Sequence, residues 1–382
     1  MKVLIIARYG EVHLKGRNRG MFMNALLQNV RKVCDPKCTV KIENGRYVVT
    51  GSSKNKAESL ARDIANVFGI TSTSICTAMT HNEIVSHIES IIINGTFRVE
   101  VNRADKKFPH TSMEFASILG GVVLGKNPSA KVDLHTPQTI INVDIREFDT
   151  AYVYTSVIRG VGGLPVGVSG KALVMLSGGI DSPVASWLSA KRGLSVDFLH
   201  FATPPFTSDL AIDKVKRLAK RLEPYCGTSK MHIANVTDIA REIREKCNDQ
   251  YTITILRRVF MRIAKLLCEK HKYDCIVTGE NLAQVASQTI QGITTMNDVA
   301  GSIPILRPLI TYDKSEIIEL AKRIGTFEIS TEPHEDCCTV FVPSSPITSP
   351  SIKKCELEEN KISHILCGLH DKLPHMLDFR GG

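Results

Sequence analysis

No apolar run in this 382-residue sequence approaches the roughly 18 residues that a membrane-spanning helix needs. The opening stretch, Met1 to Ile6, lacks the long apolar core of a secretion signal and meets Arg8 and Glu11 at once. These two absences predict a cytoplasmic protein with no membrane partner. The 11 cysteines include no Cys-x-x-Cys pair, the spacing on which many zinc sites and some iron–sulfur clusters are built. Cys34-x-x-x-Cys38 and the pair Cys268 and Cys275 have no convincing complement for zinc either. A reducing compartment argues against a disulfide framework, and cysteines in apolar runs, such as Cys76 and Cys268, read as core residues. Also missing is the G-x-x-x-x-G-K-[ST] phosphate loop of kinase-type enzymes. Gly170-Lys171 is followed by Ala172 and lacks the upstream glycine at the right distance.

The hydrophobic fraction of 43% is that of a globular protein, and the length suffices for two or three domains with sizeable cores. The net charge of +9 is unevenly spread: residues 1–170 hold 21 Lys and Arg against 14 Asp and Glu, leaving 27 against 25 for residues 171–382. A basic first half beside a near-neutral second half points to a polyanionic partner for the first. Arg8, Lys15, Arg17 and Arg19 share one glycine-containing segment, where a phosphate backbone could be held.

Periodicity gives a coarse map. Residues 3–7 read as a strand, 22–33 as a helix, and 40–42 with 46–49 as a hairpin around Asn44-Gly45. A polar break at 51–55 marks a boundary. Helices are expected at 56–68, 81–93 and 112–124, and strands at 96–101, 139–146 and 151–158. Residues 160–170 are glycine-rich and read as a linker. Beyond them, strands at 172–176, 195–201, 231–236 and 274–278 interleave with helices at 210–222, 252–269 and 313–324. That alternation implies a doubly wound parallel sheet, whose ligands bind at the carboxyl ends of its strands.

The stretch Ser177-Gly178-Gly179-Ile180-Asp181-Ser182-Pro183 lies between an apolar strand and a helix start. Glycines let the backbone approach an anion, and free N–H groups at the helix start point at it. Pro183 suits the first helical position. The motif resembles the PP-loop of ATP pyrophosphatases, which cleave ATP between its α and β phosphates. The resemblance implies that Ser177, Gly178, Gly179 and Ser182 hold pyrophosphate and that Asp181 helps place Mg²⁺.

Three further motifs stand in order along the chain: Arg8-Tyr9-Gly10-Glu11, then Arg103-Ala104-Asp105-Lys106-Lys107-Phe108-Pro109, then Gly162-Gly163-Leu164-Pro165 before the PP-loop. With them the chain resembles the ThiI family of tRNA 4-thiouridine synthases over about nine-tenths of its length. The resemblance implies an α/β fold: a doubly wound parallel-sheet domain (161–350) preceded by two small α+β domains, one ferredoxin-like (1–55) and one a tRNA-binding THUMP domain (56–160). The tail, 351–382, matches nothing in that pattern. The resemblance carries over Met175, Leu176, His200, Phe201, Arg257, Gly279 and Gln288 as ATP contacts. Only the resemblance picks Arg257 over its neighbour Arg258. ATP and Mg²⁺ are the expected cofactors, and tRNA the expected partner. Family members often pair as dimers, so a homodimer is a further expectation.

The second informative stretch is Thr331-Glu332-Pro333-His334-Glu335-Asp336-Cys337-Cys338. Pro333 and the charges place the two cysteines on a loop, unlike a core cysteine, and His334 could favour thiolate. The family's sulfur-transfer position aligns best with Cys337, with Cys338 as runner-up. The implied activity is ATP-dependent: adenylation of uridine 8 of tRNA, then replacement of O4 by sulfur from a cysteine persulfide. Many relatives carry a further rhodanese domain with a second catalytic cysteine. Only about 30 residues follow the Pro/Ser-rich stretch 343–350, too few for one. Sulfur is then expected to come directly from a cysteine desulfurase or another donor. The family's second role, sulfur supply for the thiamine thiazole, leans on that missing domain. Two rival readings remain: another PP-loop tRNA-modifying ligase or amidotransferase, and a non-catalytic tRNA-binding protein.

Overall fold

Strand β1 (Lys2–Tyr9) alternates its side chains between two faces, and both are buried: Ile5 and Ala7 on one, Leu4 and Ile6 on the other. It lies inside a nine-stranded sheet of order β2-β3-β1-β4-β8-β7-β5-β6, with β9 paired to β4. The computed structural model describes residues 2–43, 45–333 and 345–378, in two units, residues 1–165 and 166–382.

In the first unit, β2 (Thr39–Glu43) and β3 (Arg46–Thr50) form the expected hairpin, and Ile5 of β1 faces Val49 of β3. Helices α1 (Arg19–Val33) and α2 (Lys54–Ala65) cover the Ile5 face with Leu26, Val30, Ala61 and Ile64. Strand β4 (Ile70–Met79) follows, antiparallel to β1. Residues 56–79, grouped by sequence with the second small domain, thus feed Leu60, Ile64 and Ile70 into the first core.

Helix α3 spans Ile84–Glu89 and is entered through a 3-10 turn at His81–Glu83, so the helical stretch begins at the expected residue 81 but stops short of 93. The side chain of Asn127 explains the early stop. It accepts from the Ile93 N–H at 2.9 Å and donates to the Ile91 carbonyl at 3.1 Å, holding that backbone outside the helix. Strands β5 (Thr96–Arg103), β6 (Lys131–Val132), β7 (Thr139–Arg146) and β8 (Thr150–Tyr154) complete the sheet, with β9 at Ile158–Arg159. Helix α4 (Ser112–Lys126) starts at a capping box in which Thr111 and Glu114 satisfy each other's backbone N–H groups. Its Phe115, Leu119 and Val123 pack on Phe97, Ile141 and Val143.

The second unit has a six-stranded sheet of order β14-β13-β10-β11-β12-β15. Strands β10 (Lys171–Met175), β11 (Ser195–Ala202), β12 (Met231–Asn235), β13 (Cys275–Val277) and β14 (Ile305–Leu306) run parallel. Helices α5 (Asp181–Lys191), α6 (Asp209–Cys226), α7 (Thr237–Lys246), α8 (Thr252–His271), α9 (Ile290–Ala300), α10 (Lys314–Ile324) and α11 (Phe327–Ser330) come between and after them. Pro183 sits third in α5, not first, still in the turn whose N–H groups have no intrahelical partner. The doubly wound α/β class expected from the alternation is what the chain adopts.

The tail is part of this unit. Its helices Ile352–Asn360, Ser363–Cys367 and Leu369–Met376 insert Cys355, Ile365, Leu369 and Leu373 into the main core, and the turn between the first two adds Ile362. Strand β15 (Leu377–Asp378) then pairs antiparallel with β12.

Candidate active site

The carboxyl ends of β10, β11 and β13 open onto a cavity of about 480 Å³, within the range of small-ligand sites. Met175, Leu176, Ser177, Gly179, Asp181, Ser182, His200, Phe201, Arg257, Gly279 and Gln288 all line it. Gly178 lies between two of these lining residues. Residues separated by more than 100 positions in sequence are therefore gathered at one place.

The loop after β10 is drawn together by its own serines. The Ser177 N–H donates to Ser182 Oγ at 2.9 Å, and the two hydroxyls lie 3.2 Å apart. The Gly179 N–H donates to Ser177 Oγ at 3.3 Å. This turn leads into the N-terminus of α5, where the helix dipole favours an anion. Gly279 crosses directly beside it. A Cβ there would lie 2.8 Å from the Ser182 nitrogen and 2.9 Å from its Cα, so only glycine fits.

The opposite wall is aromatic and cationic. Phe201 stacks on Phe260 of α8 with ring centroids 3.9 Å apart and planes 6° from parallel. The His200 ring is buried, with Nδ1 3.0 Å from the Leu176 carbonyl. Arg257 pairs with Glu280 and donates to the Ser287 carbonyl at 3.0 Å. Glu280 also accepts from Arg307 Nε at 2.6 Å and Thr278 Oγ1 at 3.0 Å. Burial pushes the Glu280 carboxyl upward, but the Arg257 and Arg307 guanidiniums outweigh that and hold it below the usual carboxylate range.

Sequence reasoning missed two partners of Asp181. Lys314 Nζ, at the start of α10, pairs with one carboxylate oxygen, and Gln284 Nε2 donates to the other at 2.8 Å. Only a family pattern or the fold could have brought Lys314 forward, since 133 residues separate it from Asp181. Asp181 still keeps a free lone pair on each oxygen. Among the described residues no group of three or more His, Cys, Asp and Glu side chains could hold a metal by itself. One carboxylate beside a phosphate cradle fits the way Mg²⁺ is held, since that ion takes one or two carboxylates with substrate phosphates and waters.

Cys337 and Cys338 lie outside the described residues. The chain on either side of them is tied to the cavity. Before them, Ser330 Oγ donates to the Gly179 carbonyl at 3.3 Å, and Glu332 is gripped by Arg217 and, through its carbonyl, by Lys214 at 2.9 Å. After them, Pro346 stands in the cavity wall and the Ile347 N–H donates to the Gln250 carbonyl at 3.0 Å. The buried cysteines Cys226 and Cys268 of the second unit are different. Burial pushes the Cys226 and Cys268 thiols up to about 12, which removes them as nucleophiles.

The family model described as "Thiamine biosynthesis protein (ThiI)" matches residues 167–364, over half of the chain. The chain belongs to the ThiI family. Two further models, "ThiI ferredoxin-like domain" and "THUMP domain", match residues 4–74 and 83–156. A protein of Thermoanaerobacter sp. named "Probable tRNA sulfurtransferase" is 42% identical over 369 residues, 95% of this chain and 96% of that one. One of the same name from Brevibacillus brevis is 44% identical over 357 residues, 91% of this chain and 88% of that one. A solved 4-thiouridine synthetase, in complex with RNA and bound ATP, superimposes with a TM-score of 0.89 at 33% identity, covering 99% of each chain. These relatives are enzymes, and this chain is one of their family.

Proposed function

We propose that the chain is an ATP-dependent tRNA sulfurtransferase that converts uridine 8 of tRNA to 4-thiouridine. One observation supports this above the others: a serine-cinched glycine loop at a helix N-terminus, with Asp181, Lys314 and Arg257 around one cavity. That is a cradle for a polyphosphate that leaves as pyrophosphate.

The uracil C4 carbonyl is a weak electrophile without a good leaving group. Transfer of AMP from ATP to O4 turns that oxygen into part of a leaving group and releases pyrophosphate. Ser177, Gly179 and Ser182 would orient the β and γ phosphates, and Arg257 would bind them through its paired donors. Mg²⁺, when bound beside Asp181, neutralises phosphate charge. The outer sulfur of a persulfide on Cys337 or Cys338 then attacks C4 and AMP departs. A second thiol attacks the cysteine sulfur, forming a disulfide and releasing 4-thiouridine, and an external thiol reductant restores the cysteines. The persulfide would be filled by a cysteine desulfurase or another donor. The basic first unit would hold the tRNA. The family model's description names thiamine biosynthesis, and a contribution to sulfur supply for the thiazole would be a second role of this chain.

The test is an assay of purified protein with ATP, magnesium, unmodified tRNA and a sulfur donor (sulfide, or a cysteine desulfurase with cysteine), reading AMP, pyrophosphate and 4-thiouridine separately. Asp181→Ala is expected to abolish AMP formation while a gel shift with tRNA persists. Unaltered ATP turnover in that variant would refute the assignment of the loop. Labelled ammonia incorporated in place of sulfide would favour an amidotransferase.

A further inference from the structure

Arg257 faces the nucleotide cavity, but the next residue, Arg258, points into the core and is 1% exposed. A buried guanidinium needs full pairing, because an unpaired charge in the interior is strongly destabilising. Arg258 gets it from the tail. Its Nε and Nη2 donate to the two oxygens of Glu359 at 2.8 and 2.9 Å, a bidentate pair. Its Nη1 donates to the Thr295 carbonyl at 2.6 Å and to Asp298 at 3.1 Å, both on α9. Glu359 also accepts from Arg262, one turn further along α8, at 2.8 Å.

These bonds close a ring around the site. From Arg258 the ties pass to α9, whose Asn297 accepts from Arg307 at 2.9 Å. Arg307 binds Glu280, and Glu280 binds Arg257, back on α8. The ring closes through α8, α9, Arg307 and Glu280. Glu359, carried on the tail helix Ile352–Asn360, is not a link in it but holds the guanidinium of Arg258, from which the ring starts.

We infer that Glu359 is a positioning residue for nucleotide binding, and that the tail is a working part of the ATP site without touching it. Its carboxylate holds Arg258 and Arg262, one turn apart on α8, and so orients the Arg258 guanidinium that reaches Thr295 and Asp298 of α9. Those two helices set where Arg257, Phe260 and Met296 stand in the cavity wall. The inference rests on the cavity being the ATP site.

Calorimetric titration of the full-length protein with ATP and magnesium tests it, well below the melting temperature of each variant. Glu359→Gln, which keeps the shape but removes the charge, is expected to weaken ATP binding roughly five-fold or more, the scale on which remote network residues act. Glu359→Asp keeps the charge but is too short to reach both arginines, and it is expected to shift binding in the same direction by less. It serves in place of Glu359→Gln if that variant does not fold. Leu373→Ala is the comparison, because it loosens the tail's packing without touching the ring. It is expected to lower the melting temperature and leave ATP affinity near wild type. Wild-type affinity in both Glu359 variants overturns the inference, as does an equal loss in Leu373→Ala. A wild-type protein that binds no ATP overturns the nucleotide reading itself, and this inference with it.

Discussion

Replacing Gly279 by alanine tests the site's geometry at its tightest point. The added methyl would lie 2.8 to 3.0 Å from Ser182 N, Ser182 Cα and Asp181 C, all of them backbone atoms. No side chain can swing away to make room. Ordinary contact needs about 3.4 Å or more, so β13 and the start of α5 must part by about 0.5 Å, the kind of overpacking that costs about 1–3 kcal/mol. For a unit of about 200 residues that lowers Tm by roughly 2–12 °C, at about 2–4 °C per kcal/mol. Function is expected to suffer more than stability. Catalytic groups must be held to within about 0.5 Å, and a misplacement of about 1 Å can cost about 100-fold in rate. AMP formation is therefore expected to fall about 10- to 100-fold at a temperature where the variant is fully folded. Gly121→Ala is the control, since a Cβ there meets nothing within 4 Å. If Gly279→Ala melts and turns over ATP like the wild type, the glycine and the loop do not approach as described, and the close-packed cradle is wrong.

Three other outcomes are expected. Lys314→Met removes the cation on Asp181 and is expected to cut AMP formation by at least about ten-fold, the size of a lost charge-assisted contact to a reacting group, with tRNA binding unchanged by gel shift. Cys337→Ala is expected to preserve AMP formation and abolish 4-thiouridine, measured by nucleoside mass spectrometry; normal thiolation would move the role to Cys338. His232 and His271 have ring centroids 5.0 Å apart, and burial lowers the pKa of both below the usual 6.5, against Asp197 and beside Lys230 and Lys270. The unfolded chain therefore binds these protons first, so stability should fall as pH drops below about 6.5 and level off below the depressed folded values. His232→Phe should flatten that part of a plot of denaturation midpoint against pH, and an unchanged slope would remove the pair as its cause.

Much of the architecture could be read from periodicity because the elements that position the site are buried and regular. The parallel strands are short apolar runs, and β7 falls on the residues its alternation marks. Strand β4 escaped because Thr71, Thr73, Ser72 and Ser74 hide its pattern. Thr73 and Ser74 are buried all the same, and bonds such as Thr73 Oγ1 to the Ala61 carbonyl at 2.9 Å make that tolerable. The site divides the same way. Ser177 to Ser182 is a local motif, so it was legible as a phosphate loop. Lys314, Gln284 and Glu280 matter only because the chain returns to Asp181 and Arg257 from far away, and no local pattern reports that. The tail was opaque for another reason: its role lies in one carboxylate meeting an arginine 101 residues away.

Strand β4 binds β1 along one edge and β8 and β9 along the other. The two small α+β halves therefore share a single ladder of backbone hydrogen bonds, with no linker between them to act as a joint. Cations carried on both halves keep a constant separation, like marks on a ruler. A polyanion lying across them would have to match that interval with its own shape, so a flexible single strand and a stiff folded RNA of equal charge would be told apart by fit before any base is read.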